Sequence, residues 1–490
     1  MLLLAILIVP LVAGAICALT HSTRALEWLN VLALAAVAVL GGFIIVGVLE
    51  RGSIQALNGF LYADALSALV IGTTAFVSLV CSVYAVGFFR VEREIGRITT
   101  TQKRRYYVLT PFFVFAMLMV TLANNLGVMW VAIEGTTLAS VLLIAFYNDK
   151  TSLEAAWKYI MIGSVGITLA LFGTVLTYFA AAGVLGSEST TGLNWSVLLT
   201  KADQFNQHAM RLAFVMAALG YGTKAGLAPM HTWKPDAYSE APLPASALLA
   251  ASVLNCAVYG ILRFYVLTVK CAGPAFPGKL LLFFGAASMV VAVPFVLVQR
   301  NFRRLLAYSS IEHAGIMVTA VGFGGRLGLL GAMLHMMFHA TTKPLLFFCM
   351  GDVQQYFRTP YLRKVRGAIR CMPISATLLV MVTMAVTGVP PFSLFQSEFT
   401  ILTGGFSTAH ILLSMLFIGC VVAIFAGFLQ HIVQMVFGTP RTTSPTITRN
   451  RWKLGASCGL AVVILAIGLH LPQTLFDLAQ RAADVVGGTR

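Results

Sequence analysis

The feature that most constrains this chain is the repetition, from end to end, of apolar runs about 20 residues long, the length a helix needs to cross the hydrocarbon core of a membrane. A helix can cross lipid because it satisfies its own backbone hydrogen bonds. Windows of this kind fall at roughly 2–19, 27–49, 64–88, 108–126, 127–147, 155–182, 210–228, 241–267, 279–298, 304–323, 327–349, 373–404, 409–437 and 453–471. The expected fold class is therefore all-α, a polytopic membrane protein of about fourteen transmembrane helices. Charged residues make up only 10% of the 490, against about 25% in soluble domains, so a soluble multidomain enzyme is excluded. The weakest boundary is the fourth, where only Asn124, Asn125 and Gly127 mark a turn.

With these spans the loops alternate in charge. One side carries 22 of the Lys and Arg residues, the other 8, and Lys224, Arg263 and Lys343 fall within spans. The rich side includes the clusters Arg90–Arg105, Arg300–Arg304, Arg358–Arg370 and Arg441–Lys453, with Lys150, Lys158 and Lys234. Positive loops face the cytoplasm, which places both termini on the non-cytoplasmic side of a cell membrane. The formal charge of +16 thus reads as loop topology and not as a nucleic-acid surface.

Other chemistries find no support. There is no G-x-G-x-x-G after a strand, no P-loop and no cysteine cluster, so the chain is expected to bind no flavin, nucleotide or iron–sulfur centre. Its eight cysteines form no C-x-x-C pair and read as small buried hydrophobes. Met1–Leu19 lacks a preceding basic residue and reads as the first span.

What remains are ionisable groups inside spans, each costly in lipid without a partner, a wet cavity or a function. Glu134 lies mid-span, either as a structural pin or as a proton-carrying acid. Lys224 lies where Gly220, Gly222, Gly226 and Pro229 should interrupt the seventh span; an uncharged lysine there can accept a proton. His335, His339 and Lys343 recur at i, i+4 and i+8 on one helix face. Imidazoles pass protons near neutral pH. The H-x3-H spacing also suits a metal, but a lysine on the same stripe opposes a cation, so no metal is assigned. Glu398 follows a second break at Gly388, Pro390 and Pro391. Glu312 and His313 read either as a local ion pair or as a link in a proton path. Asp64 and Lys158, nearer span ends, read as structural, and Arg263 as snorkelling or binding a carboxylate.

The seventh and twelfth spans each combine a Gly/Pro break with an ionisable group, and they lie five spans apart. That correspondence predicts two inverted five-helix repeats, helices 4–8 and 9–13. The expected divisions are 1–107 (helices 1–3), 108–270 (first repeat), 271–440 (second repeat) and 441–490 (helix 14).

The stretches W-V-A-I-E-G-T-T-L-A-S, A-A-W-K-Y, A-P-M-H-T-W-K-P-D-A-Y-S-E-A-P-L-P-A-S and H-M-M-F-H-A-T-T-K-P-L-L-F together resemble the antiporter-like proton-pumping subunits of respiratory complex I, Mrp antiporters and energy-converting hydrogenases. The resemblance covers about 64–437. Y-S-S-I-E-H and G-V-P-P-F-S-L-F-Q-S-E-F look most like the membrane subunit of hydrogenase 4 or formate-hydrogenlyase complexes.

The resemblance implies a Glu134–Lys224 pair, a His335–His339–Lys343 stripe on a hydrophilic axis, and an exit governed by Glu398. Lys158, Asn255, Tyr259, Glu312, His313 and His231 form a second tier of path or modulating groups. It further implies no catalytic centre or cofactor in this chain. Nickel–iron and iron–sulfur centres would lie in partner subunits, which comprise other membrane subunits and a peripheral hydrogenase-like or dehydrogenase arm. The alternatives are a complex I subunit, an Mrp-type Na+/H+ antiporter subunit, or a non-conducting anchor. The anchor reading arises because many relatives carry lysine where Asn255 stands, and asparagine holds no exchangeable charge.

Overall fold

The computed structural model describes residues 1–186, 191–440 and 450–488; Arg441, Arg449 and Arg490 lie outside the described residues. Three helices open the chain, α1 (Leu2–Leu19), α2 (Thr23–Arg51) and α3 (Ala65–Glu94), with a small hairpin, β1 (Ile54–Ala56) against β2 (Leu61–Ala63), between the last two. The next segment holds α4 (Thr100–Leu122), α5 (Leu126–Ile144), α6 (Lys150–Leu185), the short α7 (Trp195–Lys201), α8 (Gln207–Ala225), α9 (Trp233–Glu240), α10 (Leu243–Leu248) and α11 (Leu254–Ala272). A π turn over Leu249–Val253 joins α10 to α11. There follow α12 (Ala275–Val298), α13 (Phe302–Phe323), α14 (Gly325–Phe357), a single turn α15 (Ala368–Cys371), α16 (Pro373–Val386), α17 (Ser393–Ser407) and α18 (Ile411–Val436). The chain closes with α19 (Arg451–Leu469) and α20 (Gln473–Gly487).

Each predicted span has its helix, and side-chain caps set several boundaries. Asn125 accepts from the backbone N–H groups of Gly127 and Val128, which ends the ambiguity between the fourth and fifth spans. Thr99 with Gln102, and Asp149 with Ser152, form reciprocal caps at the starts of α4 and α6.

Among the described residues ten helices are long and apolar enough to cross a membrane. The four remaining predicted spans are α8, α13, α14 and the α16–α17 pair. They fall short because they hold the buried ionisable groups or are broken. Sequestered at the centre of the protein, α13 and α14 are buried along almost their whole length, where they avoid lipid.

The seventh span is broken between α8 and α9, and the twelfth between α16 and α17. Each is the fourth crossing of its five-helix half, and an odd number of crossings turns the second half over relative to the first. Gly226 ends α8 in the left-handed region (φ +77°), and Gly388 holds φ +68° just past α16.

The charge alternation hides internal pairing. Lys103 and Arg90 converge on buried Glu27, and Lys453 pairs with Asp352 at 2.9 Å. Arg303 is buried on the carbonyls of Ser239 and Ala241. Lys234, counted among loop charges, is only 1% exposed; the span window restarting at 241 misplaced it outside the helical bundle. After the fourteenth span, α20 packs Leu478, Ala479, Ala482, Ala483 and Val486 inward.

Candidate functional site

The first break places Lys224 one residue before the end of α8. The residue is 3% exposed, and its ammonium group donates to Thr137 Oγ1 at 2.8 Å and Tyr159 Oη at 2.6 Å. Glu134, half-buried on α5, does not reach it; Glu134 Oε2 instead accepts from Thr137 Oγ1 at 3.2 Å. The expected Glu134–Lys224 pair is therefore a hydroxyl-bridged triad. Tyr159 Oη also meets Ser140 Oγ at 2.7 Å, so two hydroxyl routes converge on the lysine.

The break itself leaves α8 carbonyls without intrahelical donors. Side chains of α9 supply them: Trp233 Nε1 donates to Thr223 O at 2.9 Å, and Lys234 Nζ to Ala225 O at 2.7 Å. Ala228 N donates to Ser288 Oγ of α12 at 2.9 Å, which ties the break to the second half. His231 is half-buried within this break.

In the second half α14 presents its predicted stripe, with His335, His339 and Lys343 fully buried. Lys343 Nζ donates to Ser309 Oγ of α13 at 2.7 Å, even though Pro344 follows it. His335 Nε2 and His313 Nδ1 share a hydrogen bond of 3.0 Å, and His335 Nδ1 meets Ser397 Oγ of α17 at 3.0 Å. The His339 ring centroid lies 4.9 Å from that of His313, and both its nitrogens lack a hydrogen-bond partner among the described residues. Buried imidazole nitrogens of this kind call for water.

Glu398, 6% exposed on α17, lies beside the second break: a β-carbon added to Gly388 would come within 2.1 Å of its Oε2. One ligand atom each from His313, His335 and Glu398 lies within 4.8 Å of the others. That convergence would admit a cation by distance alone. The two imidazoles, however, hydrogen-bond to each other, and Lys343 acts electrostatically on both rings.

The predicted groups thus gather into two wings. Glu134 and Lys224 form one; Lys343, His339, His313, His335 and Glu398 form the other, with buried Glu312 in electrostatic reach of Lys343. Glu312 makes no ion pair with His313, because His313 turns to His335. Asn255 is fully buried and donates to Met336 O at 3.0 Å, pinning α11 to α14 one residue from His335.

Two second-tier groups lie elsewhere. Tyr259 bonds Ser67 Oγ and Thr121 O, and it faces Arg263, which grips Asp64 at 2.6 and 2.8 Å. Lys158 is exposed and paired with Glu154 and Asp236. The bridging hydroxyls Thr137, Tyr159, Ser309 and Ser397 are not legible in the sequence, since a hydroxyl in an apolar span carries no signal until a neighbouring helix is placed. Nor is Lys234, whose one signal is its position eight residues past Gly226, at a break already recognised.

Residues 123–424 match the family model described as NADH:quinone oxidoreductase/Mrp antiporter, TM. The hydrogenase-4 component F homolog of Methylacidiphilum infernorum is 35% identical over 426 residues, covering 87% of this chain and 88% of that one. The NADH-quinone oxidoreductase subunit N of Desulforudis audaxviator is 28% identical, covering 84% of this chain and 80% of its own. In fold, the chain is similar to one from the membrane-bound sulfane sulfur reductase, an archaeal respiratory membrane complex. That match has a TM-score of 0.86 at 22% identity and covers 99% of this chain and 97% of that one.

Proposed function

Taking as premise that the chain belongs to the NADH:quinone oxidoreductase/Mrp antiporter transmembrane family, we propose that it moves protons within a multisubunit redox complex of the hydrogenase-4 kind. The observation that carries this reading is the pair of wings: buried acids and bases linked by hydroxyls, one set at each broken helix. Groups so expensive to bury persist where protons use them.

In this reading the unit 108–270 holds the loading wing and 271–440 the release wing, with 1–107 and 441–490 packed around them. Glu134 is the sensor. Its half-buried carboxylate changes distance from Lys224 when electron transfer in a partner subunit shifts the helices. Approach favours the charged lysine, and withdrawal releases a proton towards Lys343 and the histidines, with Glu398 as the exit group. Each charge moved against the membrane potential requires about 2.3 kcal/mol per 100 mV, within reach of one buried ion pair made or broken.

The redox centres, nickel–iron and iron–sulfur, belong to partner subunits in a peripheral arm, with further membrane subunits beside this one. Both termini face away from the cytoplasm in the cell membrane of a bacterium or archaeon. The test is Lys224→Met and Glu134→Gln in the intact complex reconstituted in vesicles. Proton uptake should vanish while electron transfer partly survives. Undiminished pumping in both variants would reduce the subunit to an anchor, the reading that Asn255 alone would suggest.

A further inference from the structure

The two wings need a joint. Asn255, at the position expected to hold a proton carrier between them, uses its amide donor on Met336 O and has no charge to pass. Lys234 also bridges the halves, and unlike Asn255 it carries an exchangeable proton. It rises from α9 in the first half, lays its stem across Gly226, and donates to Ala225 O at 2.7 Å. It also reaches Ser310 O of α13, in the second half, at 3.4 Å. A β-carbon at Gly226 would sit 2.6 Å from Lys234 Cδ, so the break is shaped around this stem. The residue before it on α13, Ser309, holds Lys343.

A purely structural account of Lys234 is a helix cap, since a cation suits the carbonyl end of α8. Yet Trp233 caps the same end with a neutral donor, one residue away. Nor does Lys234 form an ion pair among the described residues, unlike Lys103, Arg263 and Lys453. It lies in electrostatic reach of both Lys343 and His339. Two ammonium groups so placed in a low-dielectric interior do not both stay charged at low cost, so a proton on one discourages a proton on the other. That is the behaviour of neighbouring stations in a relay.

We propose that Lys234 is the proton carrier at the junction of the two halves, in place of a base at position 255; this rests on the proton-translocation reading above. The charged Lys224 gives a proton to the neutral amine of Lys234. The resulting ammonium gives a proton to the neutral amine of Lys343 or the neutral ring of His339. No electrons move and no covalent bond other than N–H is made or broken.

The test uses the intact complex in vesicles, with proton uptake per electron transferred as the readout. Three substitutions separate carrying from capping. Lys234→Arg keeps a cationic donor for Ala225 O but does not release its proton. Lys234→His keeps a donor that titrates, and Lys234→Met keeps neither. Proton uptake should fall by about tenfold or more in the Arg and Met variants, and by less in the His variant.

Wild-type stoichiometry in Lys234→Arg overturns the proposal and leaves the residue a cap. If the Arg variant does not assemble, the His and Met variants decide: equal stoichiometry in the two overturns it, and a larger deficit in Met than in His supports it. Lys224→Met, run alongside, keeps the questions apart. If it pumps normally the wider reading fails. If it is dead while Lys234→Arg is normal, only the role of Lys234 fails.

Discussion

Lys224 and Glu134 do not touch; Thr137 stands between them, accepting from the lysine at 2.8 Å and donating to the carboxylate at 3.2 Å. One hydroxyl has one proton to donate, so its donation to Glu134 leaves its oxygen lone pairs for Lys224. The triad is therefore directional, and the acid influences the base through a single atom. Thr137→Val, close in shape, cuts that link while the lysine keeps Tyr159. A hydrogen bond to a charged group contributes about 1.5–3 kcal/mol, so proton loading should slow by roughly tenfold or more. Thr137→Ser should restore it. Proton uptake on a single turnover, followed with a pH-sensitive dye, reads both; equal rates for Val and wild type would remove Thr137 from the path.

Gly388 makes a second prediction. Its φ of +68° is costly for any residue with a β-carbon, by about 1–2 kcal/mol. Here that carbon would also lie 2.1 Å from Glu398 Oε2. Gly388→Ala must therefore push the Glu398 carboxylate away from His313 and His335. The control is Gly273→Ala, at φ +77° with nothing within 4 Å, which carries the strain without the collision. Both variants should lose thermal stability, and proton release should be impaired only in Gly388→Ala. Normal release in that variant would show that Glu398 is not held in place by the break.

Much of this was legible in the sequence, for reasons that differ by element. Apolar windows located every crossing because lipid demands length and apolarity, and Gly226 and Gly388 announced the breaks because few other residues tolerate those turns. The α14 stripe was readable because helical periodicity alone places His335, His339 and Lys343 on one face. What stayed hidden depends on which helix lies next door. The hydroxyl bridges at Thr137 and Ser397 are such a case, as is the turn of His313 towards His335 and away from Glu312. Lys234 stayed hidden because Pro and charge beside it imitate a loop. The last helix, α20, escaped because its inward face is mostly alanine and its length falls short of a crossing.

Lys158 supplies a negative prediction. Its place near a span end reads as structural, while the family resemblance makes it a candidate modulator. The structure puts it outside, 48% exposed and paired with Glu154 at 2.7 Å and Asp236 at 3.1 Å. Asp236 also holds Arg304. An exposed pair with a spare cation contributes little. Lys158→Ala should pump protons at the wild-type ratio and assemble normally. A clear drop in proton uptake per electron would bring Lys158 back into the path.

Asp64 and Arg263 test whether burial of charge alone implies proton traffic. Both are almost fully buried, and the pair is bidentate at 2.6 and 2.8 Å, with Ser67 Oγ accepting from Arg263 at 2.9 Å. The guanidinium lies 4.1 Å from the Trp195 ring centroid and 4.7 Å from that of Tyr259. Asp64 also caps α3 through Ser67 N. Both carboxylate oxygens of Asp64 are matched by the guanidinium, and arginine does not give up its proton, so the cluster is a clasp and not a station. Removing one partner of a buried pair leaves the other uncompensated, at about 3–5 kcal/mol. Asp64→Ala adds the loss of a cap, about 1 kcal/mol. Asp64→Asn should therefore lower the melting temperature of the purified full-length chain, and Asp64→Ala should lower it further. The double replacement Asp64→Leu with Arg263→Met should recover part of the loss, because a matched apolar pair avoids the stranded charge. In whatever fraction of each variant assembles, the proton-to-electron ratio should match wild type. A ratio that falls while assembly and melting stay intact would mean that protons pass through this clasp, and that the path has a branch through α3 and α11.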